Sequence, residues 1–227
     1  SSGRILRDSL GEQRKCQADV CRRLSPYLKS PGDTPPAYSV YPEPVPSSCY
    51  DWRRNIFSTM FHSMYFLLEV PEPRRGLYGR LIHLFRIWVT SADNLLDEED
   101  KVVVPLHMPG SSRIMRQVVT LMAADRVLAE LLAEAVASCA IAAGASAELS
   151  RASLQRLLPS AAQEATEEGG IRERPSPETV LNVIHHLKTG LLFNIAFAGP
   201  EILEPNLDRP RAARLKKSLL HFGLGCQ

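Results

Sequence analysis

The sequence places three aspartates, Asp93, Asp97 and Asp100, directly after the mostly apolar segment LYGRLIHLFRIWVT. Their spacing puts the three carboxylates on one face of a helix. Acids are unfavourable at the C-terminal end of a helix, and like charges four residues apart repel, so the arrangement lowers stability unless a cation meets it. Carboxylate oxygens are the ligands that Mg²⁺ prefers, often together with a phosphate. The alternative is a solvated acidic helix end capped by Lys101.

The helix that would carry these acids is apolar on nearly every side, which is typical of a helix central to a bundle. On a helical wheel, Ile82, Arg86 and Val89 lie within about 40° of Asp93. The face that ends in carboxylates is therefore mainly apolar before it becomes acidic. This pattern predicts a pocket with an apolar floor and an acidic mouth.

A second anomaly is Lys188, which falls on one helical stripe with four aliphatic residues, Leu181, Ile184, Leu192 and Ile195. A lysine in such surroundings stays charged only with an anion nearby. A lysine at a bundle edge that reaches solvent is the alternative. Together, inward acids and an inward lysine indicate a cavity for metal ions and a phosphate-bearing ligand whose remainder is hydrocarbon.

Composition excludes several classes of protein. The chain has 227 residues, of which 44% are hydrophobic and 23% charged, as in ordinary globular proteins. A net charge of +2, with no basic run, does not favour nucleic-acid binding. No apolar stretch reaches the roughly 18 residues of a membrane span. Five scattered cysteines do not form a disulfide framework, which favours a reducing cytoplasm.

Hydrophobic periodicity predicts an all-α protein. Seven prolines between residues 25 and 49 indicate an extended connector, so we divide the chain into an N-terminal helix with connector (1–50) and a helical domain (51–227). Ser112 and Ser176 are predicted N-caps. The predicted helices are 4–24, 51–69, 75–98, 112–142, 147–168, 176–198 and 208–226.

Three motifs carry a resemblance to a known family. D-N-L-L-D (93–97) resembles the first aspartate-rich motif, D-D-x-x-D, of the trans-isoprenyl diphosphate synthases. K-T-G-L-L-F (188–193) is similar to the family's K-T-x-x-L-F segment. F-G-L-G-C-Q (222–227) resembles the start of a later helix, in which a glutamine precedes a second aspartate-rich motif. The order and rough spacing agree from about residue 51 onward.

The resemblance implies the isoprenoid synthase fold, a helical bundle around a central apolar cavity, and a homodimer. It also implies Mg²⁺-dependent ionisation of an allylic diphosphate and attack on the carbocation by isopentenyl diphosphate. By position, Asp93 and Asp97 would be catalytic and hold Mg²⁺. Lys188 would be catalytic and, with Thr189 and Gln227, would bind diphosphate.

Three departures from the family pattern keep alternatives open. Asn94 replaces the second aspartate. The G-G-K-R-x-R-P segment that holds isopentenyl diphosphate is absent, and only D-W-R-R-N (51–55) stands near its place. The second aspartate-rich motif is missing, so we expect the natural chain to continue past Gln227 with further helices. The alternatives are a class I terpene cyclase-like enzyme using one allylic diphosphate and a non-catalytic partner of an active synthase.

Overall fold

The structure, a computed structural model, describes residues 2–170 and 173–226. Its α-helices are α1 (Ser2–Leu24), α2 (Trp52–Leu67), α3 (Glu72–Leu96), α4 (Arg113–Ala137), α5 (Ala143–Gln155), α6 (Leu158–Glu168), α7 (Pro177–Thr179), α8 (Ala198–Leu203) and α9 (Arg209–Gly225). A π-helix (Val180–Gly190) and a 3₁₀-helix (Leu192–Phe197) connect α7 to α8. Two short strands, β1 (Tyr41–Pro42) and β2 (Leu106–His107), pair antiparallel.

The prediction of an all-α protein is confirmed, and the helices differ from the predicted ones mainly where backbone geometry changes. The predicted helix 147–168 divides into α5 and α6, with Pro159 in the first turn of α6. Proline has no backbone N–H to donate, so it favours a new helix start. The predicted helix 176–198 begins as an α-helix but continues as a π-helix.

The two predicted N-caps are confirmed. Ser112 Oγ accepts a hydrogen bond from the backbone N–H of Met115, at 3.3 Å. Ser176 Oγ accepts one from the backbone N–H of Thr179, at 3.1 Å, with Pro177 in the first turn. Each oxygen satisfies a donor that the start of a helix leaves without a partner.

The chain divides into two compact units. Unit 1 comprises the chain up to Phe66 together with Pro71–Glu134, and unit 2 comprises Leu67–Val70 together with the chain from Ala135 onward. The contacts therefore join the N-terminal helix and connector to α2, α3 and most of α4.

No single helix in the described part of the chain is long and apolar enough to cross a membrane. The segments Pro177–Gly190 and Leu192–Leu203, bent by 41°, meet that test only as a pair.

In unit 1, α1 runs parallel to α3, because successive residues of the two helices meet in the same order. Glu12 accepts hydrogen bonds from Arg75, and Asp19 accepts one from Arg80. Between these pairs, Gly79 lets the helices approach closely. A Cβ atom there would lie 2.6 Å from Cys16 Sγ and 2.9 Å from His62 Cε1. Gly79 therefore marks the point where α1, α2 and α3 meet.

In unit 2, the π-helix packs against α9 through glycines. A Cβ at Gly190 would lie 3.2 Å from Leu220, and one at Gly223 would lie 3.1 Å from Phe193. The sequence HFGLGCQ predicts a helix packed closely on a neighbour through its small residues. Gly223 has this role, whereas Gly225 has no atom within 4 Å of a built Cβ.

Candidate functional site

The acidic end of α3 brings the two predicted metal ligands onto successive turns. Asp93 lies in the last turn of α3, and Asp97 is its C-cap residue, with the backbone N–H of Asp97 donating to Asp93 O at 2.8 Å. Asp93 is half-buried and Asp97 is exposed. Glu98 then adopts a positive φ of 55°, which turns the chain away from the helix axis. The two carboxylates thus stand at an accessible helix end.

Asn94 holds the loop that follows this end. Its side-chain Nδ2 donates to Lys101 O at 2.9 Å, and its Oδ1 accepts from Lys101 N at 3.0 Å. Asn94 is 3% exposed, so both polar groups are satisfied inside the protein. An aspartate at this position would have no N–H to donate. The amide is therefore a structural requirement of the loop, which gives a physical reason for this departure from D-D-x-x-D.

Cationic side chains of the protein bind other groups of this loop. Arg116 Nη1 contacts both oxygens of Asp100, at 2.9 and 3.0 Å, and Arg113 donates to Glu98 O at 2.9 Å. The pKa of Lys101 is raised, first by its hydrogen bond with Glu99 and further by the charges of Asp93 and Asp97. Asp100 is thus committed to an ion pair with α4.

The residues present fit a site for Mg²⁺ with few protein ligands. Within residues 2–170 and 173–226, no three His, Cys, Asp or Glu side chains converge as a ready metal-binding group. Asp93 and Asp97 therefore offer two carboxylates. Mg²⁺ is commonly bound in this way, with water and substrate phosphates completing its shell.

A second polar feature lies farther back on α3, at Arg86. Arg86 Nη1 donates to Asn55 Oδ1 at 2.8 Å. The amide of Asn55 is held in this orientation because its Nδ2 donates to the carbonyl oxygens of Cys49 and Asp51, at 2.8 and 2.9 Å. Burial lowers the pKa of Arg86 below its ordinary value, and the nearby charge of Arg54 lowers it further. The guanidinium is thus held in a half-buried place.

Neither of these arginines has a carboxylate partner in the described part of the chain. Arg86 bonds to Asn55, and Arg54 donates to Cys49 Sγ at 3.8 Å. A half-buried guanidinium without a counter-ion is unusual, because burial of a charge is costly unless it is paired. The half-buried Arg86, with the charge of the exposed Arg54 nearby, forms a place suited to a bound anion, which we call the Arg54–Arg86 pair.

Arg86 and the acidic helix end lie on the same face of α3, whereas Arg54 belongs to α2. Arg86 precedes Asp93 by seven residues, which corresponds to about 20° around the helix and about 10 Å along it. The sequence pattern places Arg86 on the face of Asp93 but does not by itself give Arg86 a role. In the sequence, an arginine on an otherwise apolar face, two turns before the acids, already indicates a charge that needs a counter-ion.

Lys188, in unit 2, has two carboxylate partners within its own unit. Its Nζ lies 2.8 Å from Glu164 Oε1 and 3.0 Å from Glu167 Oε2, both on α6. Burial lowers the pKa of Lys188, but the hydrogen bonds to Glu164 and Glu167 outweigh it, so the pKa lies above its ordinary value. The anion that the sequence requires near Lys188 is thus present as protein carboxylates. Its predicted binding of diphosphate stays a prediction.

The predicted inward stripe around Lys188 is wrong for part of its length. Leu181 is 49% exposed, whereas Ile195 is 6% exposed. Asn182 and Val183 are exposed as well, so the beginning of this helix lies in solvent instead of turning one face to the core. Of the other two residues predicted to bind diphosphate, Thr189 lies beside Lys188, and its backbone carbonyl oxygen is 3.3 Å from a Cβ built at Gly223. Gln227 lies outside the described residues.

Comparisons with protein-family models, with curated proteins and with solved structures find no match to this chain.

Proposed function

We propose that the protein is a Mg²⁺-dependent prenyltransferase that condenses an allylic prenyl diphosphate with isopentenyl diphosphate. The observation that carries the proposal is the face of α3 that has Asp93 and Asp97 at its end and Arg86 two turns before them. The proposal extends to a homodimer, which follows from the motif resemblance, and to a cytoplasmic location, which follows from the scattered cysteines.

Two separate anion sites favour a reaction with two diphosphate substrates. The aspartates suit a diphosphate that is held through Mg²⁺, because carboxylates repel a bare anion. The Arg54–Arg86 pair suits a diphosphate that is held directly, since guanidinium groups donate paired hydrogen bonds to phosphate oxygens. A terpene cyclase-like enzyme uses one diphosphate, which would leave the arginine pair without a role. Prenyl transfer, with two diphosphate substrates, would give both the aspartates and the Arg54–Arg86 pair a role.

Each part of this face has a task in the proposed reaction. Asp93 and Asp97 would hold Mg²⁺, which supplies neutralisation of the negative charge that grows on the leaving diphosphate. Arg86, oriented by Asn55, and Arg54 would bind the diphosphate of the second substrate. Ile82, which is 4% exposed, and the half-buried Val89 are the apolar residues of this face. An apolar wall keeps water away from an allylic carbocation.

The test is an assay with geranyl or farnesyl diphosphate, with and without isopentenyl diphosphate, in the presence of Mg²⁺. We expect longer prenyl products from the wild-type protein. Asp93→Asn should abolish both elongation and the release of diphosphate from the allylic substrate alone. Arg86→Gln should leave that release intact but raise the KM for isopentenyl diphosphate by about 10- to 100-fold, the effect of losing one charged hydrogen bond.

Arg53→Gln is the matched control, because Arg53 is an exposed neighbour of Arg54 on α2. This variant should keep the wild-type KM. Absence of longer products from every allylic substrate would overturn the proposal. If Arg86→Gln and Arg53→Gln behaved alike, the Arg54–Arg86 pair would lose its assigned role.

A non-catalytic partner of an active synthase is the second candidate, and the contacts of Lys188 and Asn94 favour it. Both side chains are engaged in bonds within the protein, to Glu164 and Glu167 and to the backbone of Lys101. A silent partner would release no diphosphate from allylic substrates with Mg²⁺. It would instead change the rate or product length of an active synthase when the two are mixed.

A further inference from the structure

Two cysteines of unit 1 are brought together by the contacts that α1 makes with the segment before α2. Arg14 Nε donates to Tyr50 O at 2.8 Å, and one turn farther along α1 Gln17 Nε2 donates to Cys49 O at 3.2 Å. Cys21 follows Gln17 by four residues, so it lies on the same face of α1, one more turn along. The face of α1 that carries Cys21 is therefore the face that packs on Cys49.

The electrostatics of this place agree with two neighbouring sulfurs. Burial, and then the charge that Cys49 would carry, raise the pKa of Cys21 to about 11. Burial, followed by the charges of Cys21 and Cys49, also raises the pKa of Tyr50. Burial lowers the pKa of Arg86, and the charges of Cys49 and Cys21 would raise it. The two sulfurs and Arg86 are thus within range of one another's charges.

The surroundings of the two thiols suit them to different tasks. Arg54 Nη1 donates to Cys49 Sγ at 3.8 Å, so a guanidinium stands where this sulfur would carry negative charge. A thiolate beside a cation is the form of cysteine that attacks an oxidant. Cys21 is half-buried and, with its raised pKa, stays a neutral thiol at pH 7, so it does not repel a charged Cys49.

We propose that Cys21 and Cys49 form a reversible disulfide when the protein meets a hydroperoxide. The sulfur of Cys49 attacks the outer oxygen of the hydroperoxide, the O–O bond breaks, and Cys49 becomes a sulfenic acid while an alcohol or water leaves. The sulfur of Cys21 then attacks the sulfenic sulfur, the S–O bond breaks, and water leaves. The two thiol protons end in these leaving molecules, and the two electrons that the sulfurs lose reduce the hydroperoxide.

The disulfide would tie α1 to the chain before α2 and close the loop of residues 22–48. A cross-link of this kind restricts the unfolded chain and so holds α1 in place. Reversible disulfides that sense oxidants are the kind found in a reducing cytoplasm, where permanent disulfides are rare. The inference uses the thiols of unit 1 and does not depend on the proposed enzymatic reaction.

The first experiment identifies the linked cysteines by mass spectrometry of the full chain. Both exposed cysteines, Cys139 and Cys226, are first replaced by serine to prevent links between copies. After treatment with hydrogen peroxide and alkylation of the remaining thiols, trypsin digestion without reductant should give the peptides of residues 16–22 and 30–53 joined to each other. Dithiothreitol should separate the two peptides and restore both thiols.

The matched control is Cys16→Ser, because Cys16 lies on the same helix and in the same tryptic peptide as Cys21. Cys16 is buried, and its Sγ donates to Gly76 O at 3.5 Å, on the side of α1 that faces α3. Cys16→Ser should keep the link and Cys21→Ser should lose it. A link that persists in Cys21→Ser, or no link in oxidised protein that keeps its helical circular dichroism spectrum, would overturn the proposal.

The second experiment tests which sulfur attacks first. In Cys21→Ser the second step has no thiol, so peroxide should leave a sulfenic acid on Cys49, which dimedone labels. Arg54→Gln should slow this labelling by about 10-fold, the effect of removing one charge beside the sulfur. Arg53→Gln, at an exposed neighbouring position, should keep the wild-type rate. No label on Cys49, or equal rates in the two arginine variants, would refute the assigned order of attack.

Discussion

At the scale of single residues, the interior of unit 1 holds polar side chains that reach no partner in the described part of the chain. Both ring nitrogens of His83, both amide atoms of Gln13 and the hydroxyl of Thr59 are buried without a hydrogen bond to protein. Unpaired buried polar groups destabilise the folded state, so each should respond clearly to substitution or to pH.

His83 should make the protein sensitive to acid. Burial, with a contribution from the charge of Arg86, lowers the pKa of His83 to about 3. The unfolded chain takes up this proton below about pH 6.5, whereas the folded chain does not, so stability is complete above that pH and falls as pH decreases toward 3. Between pH 6.5 and 5 the wild-type protein should lose about 2 kcal/mol through this group.

The measurement is the free energy of unfolding in urea at several pH values, for the wild-type protein and for His83→Leu. The variant should lack this part of the acid slope and should be as stable as the wild type, or more so, at pH 7, since it buries no unpaired nitrogen. His221→Leu, on the exposed side of α9, should keep the wild-type slope. Equal slopes in His83→Leu and the wild type would contradict the assignment.

Asn94 should be required for the loop that follows the acidic helix end. Asn94→Asp keeps an acceptor for Lys101 N but loses the donor to Lys101 O, and it adds a carboxylate beside Asp93 and Asp97. We expect the unfolding free energy of the metal-free protein to fall by about 1–3 kcal/mol. Asp97→Asn, at an exposed position, should have a much smaller effect. An unchanged stability in Asn94→Asp would show that the two hydrogen bonds to Lys101 do not hold the loop.

At the scale of elements, the packing of α1 on α3 depends on the absence of a side chain at Gly79. Ion pairs on either side of this glycine, Glu12 with Arg75 and Asp19 with Arg80, align the two helices. Glu12 also lies 2.7 Å from the buried His62, which ties α2 to the same contact. Three helices therefore meet where only the smallest residue fits.

Gly79→Ala should destabilise the protein although alanine is the better helix former. Its Cβ would lie 2.6 Å from Cys16 Sγ, so the helices must separate, at a cost of about 1–3 kcal/mol. Adding Cys16→Ala should recover part of the loss in a denaturant unfolding experiment. Gly11→Ala in α1, with no atom within 4 Å, should instead gain up to about 1 kcal/mol. If both glycine variants gained stability, the close approach at Gly79 would be refuted.

At the scale of the whole molecule, ligand binding should appear as thermal stability. A ligand that binds only the folded state at about 100 times its Kd adds about 2.7 kcal/mol, which in a protein of this size raises the Tm by roughly 5–10 °C. We expect this rise when Mg²⁺ is added to protein that is already saturated with inorganic diphosphate, because the aspartates hold the anion only through the metal, whereas the Arg54–Arg86 pair would bind it without metal.

Asp97→Asn should remove that rise while leaving the metal-free Tm close to the wild-type value, because Asp97 is exposed and its loss relieves repulsion from Asp93. Differential scanning calorimetry with diphosphate in EDTA, and then with diphosphate and Mg²⁺, measures both quantities. A full rise in Asp97→Asn would remove this residue from the metal site. A large loss of Tm in EDTA would assign it a structural role instead.

The amino-acid sequence by itself determined the all-α class, the positions of most helices, the N-caps at Ser112 and Ser176, and the clustering of Asp93 and Asp97. These features depend on short-range properties, namely side-chain periodicity, capping and the positions of proline, which act within a few residues along the chain. The close packing of Gly223 was also predictable, whereas Gly225, predicted by the same argument, has no atom within 4 Å of a built Cβ.

Only the tertiary structure decided which distant residues meet. In the folded protein, Lys188 forms ion pairs with Glu164 and Glu167. Asn94 forms hydrogen bonds with the backbone of Lys101, and Arg86 donates a hydrogen bond to Asn55. Such contacts depend on how helices pack, and Leu181, which lies on a predicted core stripe, is 49% exposed at the beginning of its helix, where the neighbouring residues are exposed too. The partner of a charged side chain is therefore set by packing rather than by its neighbours in the sequence.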